Sequence, residues 1–150
     1  MSVLYKEIIF SIVIVVVVVV GNVVTQNYTH KSVKNTTTEL EELKQELLSE
    51  SNEDIDWDNA KEKFSVLQTE WRNSFEKLAY YIEHDELEKV DTNLIGLKSY
   101  IDTQEEADAV SELEKSVFVL KHIEDKTRMN LKIFFNILES SENFYRIGQK

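Results

Sequence analysis

The sequence predicts an all-α protein: an N-terminal single transmembrane helix followed by an antiparallel helical bundle of about four to five helices. Three observations carry that expectation. The stretch IIFSIVIVVVVVVGNVV is apolar for 17 residues, from Ile8 to Val24. The 150-residue chain has no proline and only three glycines, so it lacks the punctuation of turn-rich β folds. Beyond residue 38, apolar side chains recur at spacings of three and four, the period of a helix with one buried face.

A strand is usually roughly 5 to 6 residues long, far shorter than this apolar run. In lipid a single segment can satisfy its own backbone only as a helix. Its length of about 26 Å passes the roughly 30 Å hydrocarbon core once Val3 and Leu4 are added, with Lys6 reaching back to the interface. A cleaved signal peptide is the rival reading, with Val19 and Gly21 as small residues before the cut. No Ala-x-Ala pattern is present and Lys6 is offset by Glu7, so a signal-anchor that stays in place is favoured. Lys6 on one side and Lys31 and Lys34 on the other leave the charge rule almost tied. The long domain downstream of the first span tips the balance, because such domains are translocated largely regardless of charge. The expected location is the cell membrane, single-pass, with the C-terminal domain extracytoplasmic.

The remainder divides into a polar stalk, residues 25–37, and an acidic helical bundle domain, residues 38–150. The net charge of −11 falls on the part beyond the apolar run, since Lys6 and Glu7 cancel. Such a domain is a poor partner for nucleic acid, which needs clustered cations. The absence of cysteine excludes disulfides and thiolate chemistry. Asn27-Tyr28-Thr29 and Asn35-Thr36-Thr37 match glycosylation acceptors, a pattern frequent by chance.

Leu40, Leu43 and Leu47, with Val33 and Thr36 extending the register backwards, make about two heptads. These fit either a short parallel coiled coil, hence a homodimer through Val33, Leu40, Leu43 and Leu47, or the first helix of the bundle. The clearest helix carries Trp57, Ala60, Phe64, Leu67, Trp71, Phe75, Leu78 and Ile82 in one stripe, with Asp54 or Asp56 as its cap. Leu87, Val90, Leu94, Leu97 and Ile101 form the next stripe, with Asp85 as the expected cap. Thr103 and Glu106 have capping-box spacing before Ala107, Val110, Leu113, Val117 and Leu120. A further segment holds Leu131, Phe134, Phe135 and Leu138. Breaks are expected near 84–85, 102–103 and 124–126, making successive helices antiparallel neighbours. Asp56-Trp57-Asp58-Asn59-Ala60 and Thr103-Gln104-Glu105-Glu106-Ala107 open two helices in tetratricopeptide fashion. Their alanines lie 47 residues apart, against the 34 of that repeat, so hairpins are expected and not a solenoid.

WDNAKEKFSVLQTEW, YIEHDELEKVDTNLIGLKSYI and KHIEDKTRMNL, behind a short apolar anchor, resemble an uncharacterised family of small membrane-anchored helical proteins. The family comes from Gram-positive, largely spore-forming bacteria and is catalogued only as a domain of unknown function. The resemblance rests on Trp57, Ala60, Leu67, Trp71, Ile82, His84, Glu86, Leu94, Leu97, Tyr100, Ile101, His122 and Ile123. It implies an all-α extracytoplasmic domain and no activity. Glu124 stands where the family pattern has a proline, so the helix can continue there.

No Gly-x-Ser-x-Gly, phosphate loop or His-Glu-x-x-His is present, and no nucleophile–base pair can be named. Enzyme chemistry is therefore not expected. HDEL at 84–87 is a retention signal only at a carboxyl terminus. Carboxylates at 39–54 and 83–88 read as solvated helix faces. One constellation remains. His84 ends one helix and His122 lies near the end of the helix two further on, so an up-down-up chain gathers His84, Asp85, Glu86, His122, Glu124 and Asp125 at one pole. Two imidazoles and a carboxylate suit a transition metal. Histidines at helix ends also serve simply as caps, and on that reading there is neither metal nor cofactor. The favoured function is a membrane-tethered extracytoplasmic interaction module without catalysis, held in lipid by residues 1–24. It would dock a membrane or envelope partner through apolar surface such as Tyr80, Tyr81 and Phe118. The alternative is a ligand- or metal-binding sensor built on the His84/His122 pole.

Overall fold

The computed structural model describes the backbone of residues 3–48 and 55–147, and the side chains of 5–48, 55–129 and 136. The chain forms α1 (Val3–Leu47), α2 (Trp57–Leu78), α3 (His84–Thr103) and α4 (Glu106–Ile147), with no strand among the described residues. Each helix packs on two neighbours, α1 on α2 and α4, and α3 on α2 and α4. This is an up-down-up-down bundle.

Cross-helix pairs set the register. Near the far pole, Glu46 of α1 takes Lys63 and Asn59 of α2, and Lys44 meets Glu114 of α4 at 2.5 Å. Lower down, Glu41 meets Lys121 at 2.7 Å. At the near pole, where the apolar run leaves the bundle, His30 meets Glu124 at 3.3 Å. There the Lys77 ammonium lies over the Tyr28 ring, 5.5 Å from its centre. Such exposed pairs add at most about 1 kcal/mol each; the core supplies the stability.

Ala60, Phe64, Leu67, Trp71 and Leu78 of α2 and Leu87, Val90, Leu94, Leu97 and Ile101 of α3 are buried as their stripes predict. Trp57 and Phe75 are half-buried against them. Each fully buried Leu, Val or Phe is worth about 1.5–3 kcal/mol. Val33, Leu40, Leu43 and Leu47 are buried in this same core, the second of the two readings open to their heptads. In α4 the stripe is rotated. Leu113 and Leu120 are buried, but their companions are Ala109, Ser116 and Ile123; Val110 and Val117 are half-buried and Ala107 is exposed. The side chains of Leu131, Phe134, Phe135 and Leu138 lie outside the described residues.

The expected stalk at 25–37 is helix, continuous with the apolar run on one side and the leucine heptads on the other. Thr29, Thr36 and Thr37 are buried. Burial of a hydroxyl is costly unless it is bonded. Thr36 and Thr37 donate to the carbonyls of Ser32 and Val33 one turn back, at 3.1 and 2.8 Å, so α1 absorbs its own polar groups. Both glycosylation-like triplets thus lie within α1, with Thr29 and Thr37 turned into the core.

The helix ends differ from expectation in three places. Asp56 does cap α2, accepting the Asn59 N–H at 3.0 Å, while Asp54 lies outside the described residues. The cap of α3 is Glu83, whose backbone carbonyl accepts from Glu86 and Leu87; no side chain closes the turn, and Asp85 is inside the helix. Thr103 belongs to the last turn of α3, where its hydroxyl donates to Ser99 and Tyr100 carbonyls and not to α4. The reversal falls to Gln104, which is left-handed at φ 60°. Its N–H donates to Ile101 and that of Glu105 to Tyr100, a Schellman closure usually made with glycine. Finally, no break occurs at 124–126; α4 runs through Glu124 to Ile147.

Candidate functional site at the near pole

The α2–α3 turn, Ala79–Glu83, is built by α2 running out. The N–H groups of Ala79, Tyr81 and Ile82 still donate to the last turn of α2, and Ile82 tucks into the core. Tyr80 and Tyr81 are left pointing outward, 82% and 59% exposed. His84 then begins α3, where a helix end was expected.

The six residues expected to gather here do share this pole, but only Glu86 and His122 of the six meet each other; the rest pair with other residues. His84 Nε2 lies 3.0 Å from Glu88 Oε1, and its ring meets Phe75 edge-on at 6.3 Å. Asp85 pairs with Lys89 at 3.3 Å, and that hydrogen bond holds the Asp85 carboxyl below its ordinary range. Glu124 faces His30 of α1, and Asp125 pairs with Arg128 at 2.8 Å. Glu86 is the hub. Although acidic, it is only 8% exposed, and it receives Lys126 at 3.3 Å and His122 Nε2 at 3.7 Å. Lys126 also reaches Glu83 at 2.8 Å, and the two carboxylates hold its ammonium above the usual lysine range, Glu83 most of all. Among the described residues, no group of three or more His, Asp or Glu is arranged to hold a metal ion. Lys126 sits where a cation would meet Glu86. What this arrangement does is clamp the α2–α3 turn onto α4, since losing Lys126 would leave the Glu86 carboxylate buried without its fixed cation.

Sequence reasoning missed His30 and Lys126. His30 lies on the Thr29–Val33–Thr36–Leu40 side of α1, and the signal was there once 25–37 is read as helix. Lys126 fell in the expected break.

The bundle carries two notable clefts, one at the near pole and one towards the far pole. One, about 510 Å³, lies between the Val18–Thr29 stretch of α1, Tyr80 and Tyr81, and Thr127 of α4. Gln26 Oε1 and Thr29 Oγ1 are buried beside it without partners. The other, about 360 Å³, is higher, between α1 and α2, with Leu43, Val66 and Leu67 framed by Glu39, Glu42 and Glu62. There, burial together with the Glu70 and Glu42 carboxylates pushes Glu39 up to about 7, so this carboxylate is not a simple solvated face.

These helices define a small all-α bundle carrying one helix long and apolar enough to cross a membrane. The chain belongs to the family described as a domain of unknown function, DUF4363, whose model matches residues 23–134. The match covers the helical 25–37 stretch and takes in only the last two residues of the apolar run, Val23 and Val24. Comparison with curated proteins and with solved structures gives no match.

Proposed function

We propose that this protein is a single-pass cell-membrane protein of a Gram-positive, largely spore-forming bacterium. Its bundle lies outside the cytoplasm and docks a membrane or envelope protein by contact, without catalysis. The observation that carries the reading is the continuity of α1. Val3–Leu47 is one helix of 45 residues, so the apolar run joins the bundle with no flexible joint between them. A helix transmits tilt and rotation where a Gly/Ser linker would dissipate them. An exposed aromatic supports docking: Phe118 is 75% exposed on α4, and aromatic side chains are enriched where protein surfaces meet. Lipid takes residues 1–24.

The test is photo-crosslinking in intact cells. Phe118→p-benzoylphenylalanine should yield a discrete adduct that stays with carbonate-washed membranes, and external protease should remove the bundle from protoplasts. A bundle resistant to protease until lysis overturns the orientation. Recovery of the chain in the carbonate-soluble fraction overturns the anchor. No adduct at Phe118 overturns that face as the docking surface.

A further inference from the structure

The near pole carries Tyr80 and Tyr81, which the sequence offers for docking together with Phe118 but which lie apart from the Phe118 face. Tyr80 and Tyr81 are the most exposed aromatics there, at 82% and 59%, and their rings lie tilted to each other at 56° with centres 6.2 Å apart. Their height along α1 follows from two contacts. Lys77 stands over Tyr28, and the chain continues past Lys77 towards the apolar run. α2 ends one residue beyond Lys77, at Leu78, and the turn that follows carries Tyr80 and Tyr81 on towards Val24, the last residue of that run. The cleft these tyrosines share with Val18, Gly21 and Asn22 fixes the same level independently. A bilayer's polar layer is about 5–7 Å deep on each side of the hydrocarbon. Tyrosine concentrates in that layer because its ring is apolar and its hydroxyl wants a partner. The cleft has the matching chemistry: Val18 on the hydrocarbon side, and the unpartnered Gln26 Oε1 and Thr29 Oγ1 on the other. Beside the turn Asp85 is paired with Lys89, and Glu83 and Glu86 share Lys126, which reduces their repulsion from lipid phosphate.

We infer that the α2–α3 turn is a second membrane contact: Tyr80 and Tyr81 rest in the headgroup layer of the leaflet that α1 enters, and lipid polar groups fill the cleft between them and α1. This rests on the reading that α1 spans the bilayer. It makes the bundle stand on the membrane at two points, the span and the turn, and so fixes which faces of α2, α3 and α4 remain open to a partner.

The absence of native cysteine allows one label at a time. Tyr80→Cys, Tyr81→Cys, Val16→Cys and Asp108→Cys, each in the full chain with an environment-sensitive fluorophore, are placed in phosphatidylcholine nanodiscs. Spin labels sit either on the lipid headgroup or deep on the acyl chain. All four positions are exposed, so the core is untouched. Headgroup labels should remove about half the signal at 80 and 81, as expected for groups in the interfacial belt, and leave 108 at the far pole unchanged. Chain labels should quench 16. If 80 and 81 respond no more than 108 while 16 is quenched, the second contact is overturned and the anchor stands; a turn reserved for a protein partner gives that result. If 16 does not respond to chain labels, the anchor reading fails and the inference with it.

Discussion

The two halves of α1 invert each other. From Tyr5 to Val24 the helix is apolar and exposed: Phe10, Val15, Val17 and Val18 are 59–67% accessible. From Thr25 to Leu47 the same helix is largely polar, yet Thr29, Thr36 and Thr37 are buried with Val33, Leu40 and Leu43. On the reading that α1 spans a membrane, one continuous helix serves two solvents. The first half then needs no partner, because lipid is as apolar as its side chains. The second must bury one stripe against α2 and α4, and tolerates Thr36 and Thr37 there because their hydroxyls return to their own backbone. Polarity read residue by residue misplaces the boundary; polarity read by face, with the hydroxyls discounted, does not.

The sharpest way to break this contrast is to truncate both sides of the boundary. Trp71→Ala removes a side chain that is 1% exposed and should cost about 3–5 kcal/mol; Leu40→Ala should cost about 2–5 kcal/mol. Val16→Ala should leave the melting temperature of the bundle in detergent unchanged. Thermal unfolding followed by circular dichroism reads all three. An unmoved Trp71→Ala variant would mean that the α2 stripe has been misassigned.

The converse perturbation is a charge. Val16→Arg should disfavour membrane insertion by about 2.5–3.5 kcal/mol, read as loss from the membrane fraction, with the bundle's unfolding in detergent unaltered. Arginine at Asn35, exposed on the same helix, should change neither. Equal effects at 16 and 35 would erase the difference between the halves.

Most of the fold is legible in the sequence, and its failures share a cause. α2 and α3 are read almost residue for residue because their stripes are unbroken Leu, Trp, Phe, Val and Ile. α4 is read with its stripe rotated because Ser116, a core residue bonded to the Glu112 carbonyl at 3.0 Å, looks like a surface residue. Residues 25–37 are read as stalk because threonines look like linker. At Ser116, Thr36 and Thr37 a hydroxyl satisfied within its own helix hides a buried position. The near pole is legible as topology, since antiparallel helices bring 84–86 and 122–126 to one end. Which carboxylate meets which cation is not legible, because side-chain pairing turns on ångströms that helical period does not fix.

The smallest expected effect belongs to the buried half alone. Glu39 lies in the α1–α2 cleft, where burial, then Glu70 and Glu42, raise its carboxyl from 4.5 to about 7. Between those values the folded chain holds a proton that the unfolded chain has released, so unfolding sheds a proton and stability falls as pH rises. The contribution is fully present below about pH 4.5 and is gone once pH has passed about 7. Glu39 is half-buried, so solvent screening leaves only on the order of 1 kcal/mol. Glu39→Gln is neutral throughout. It should match the wild type near pH 4.5 and exceed it by about 1 kcal/mol near pH 8, with the crossover read from chemical denaturation across that range. Parallel curves for Glu39→Gln and wild type would mean that the cleft carboxylates are as well solvated as those on an open helix face.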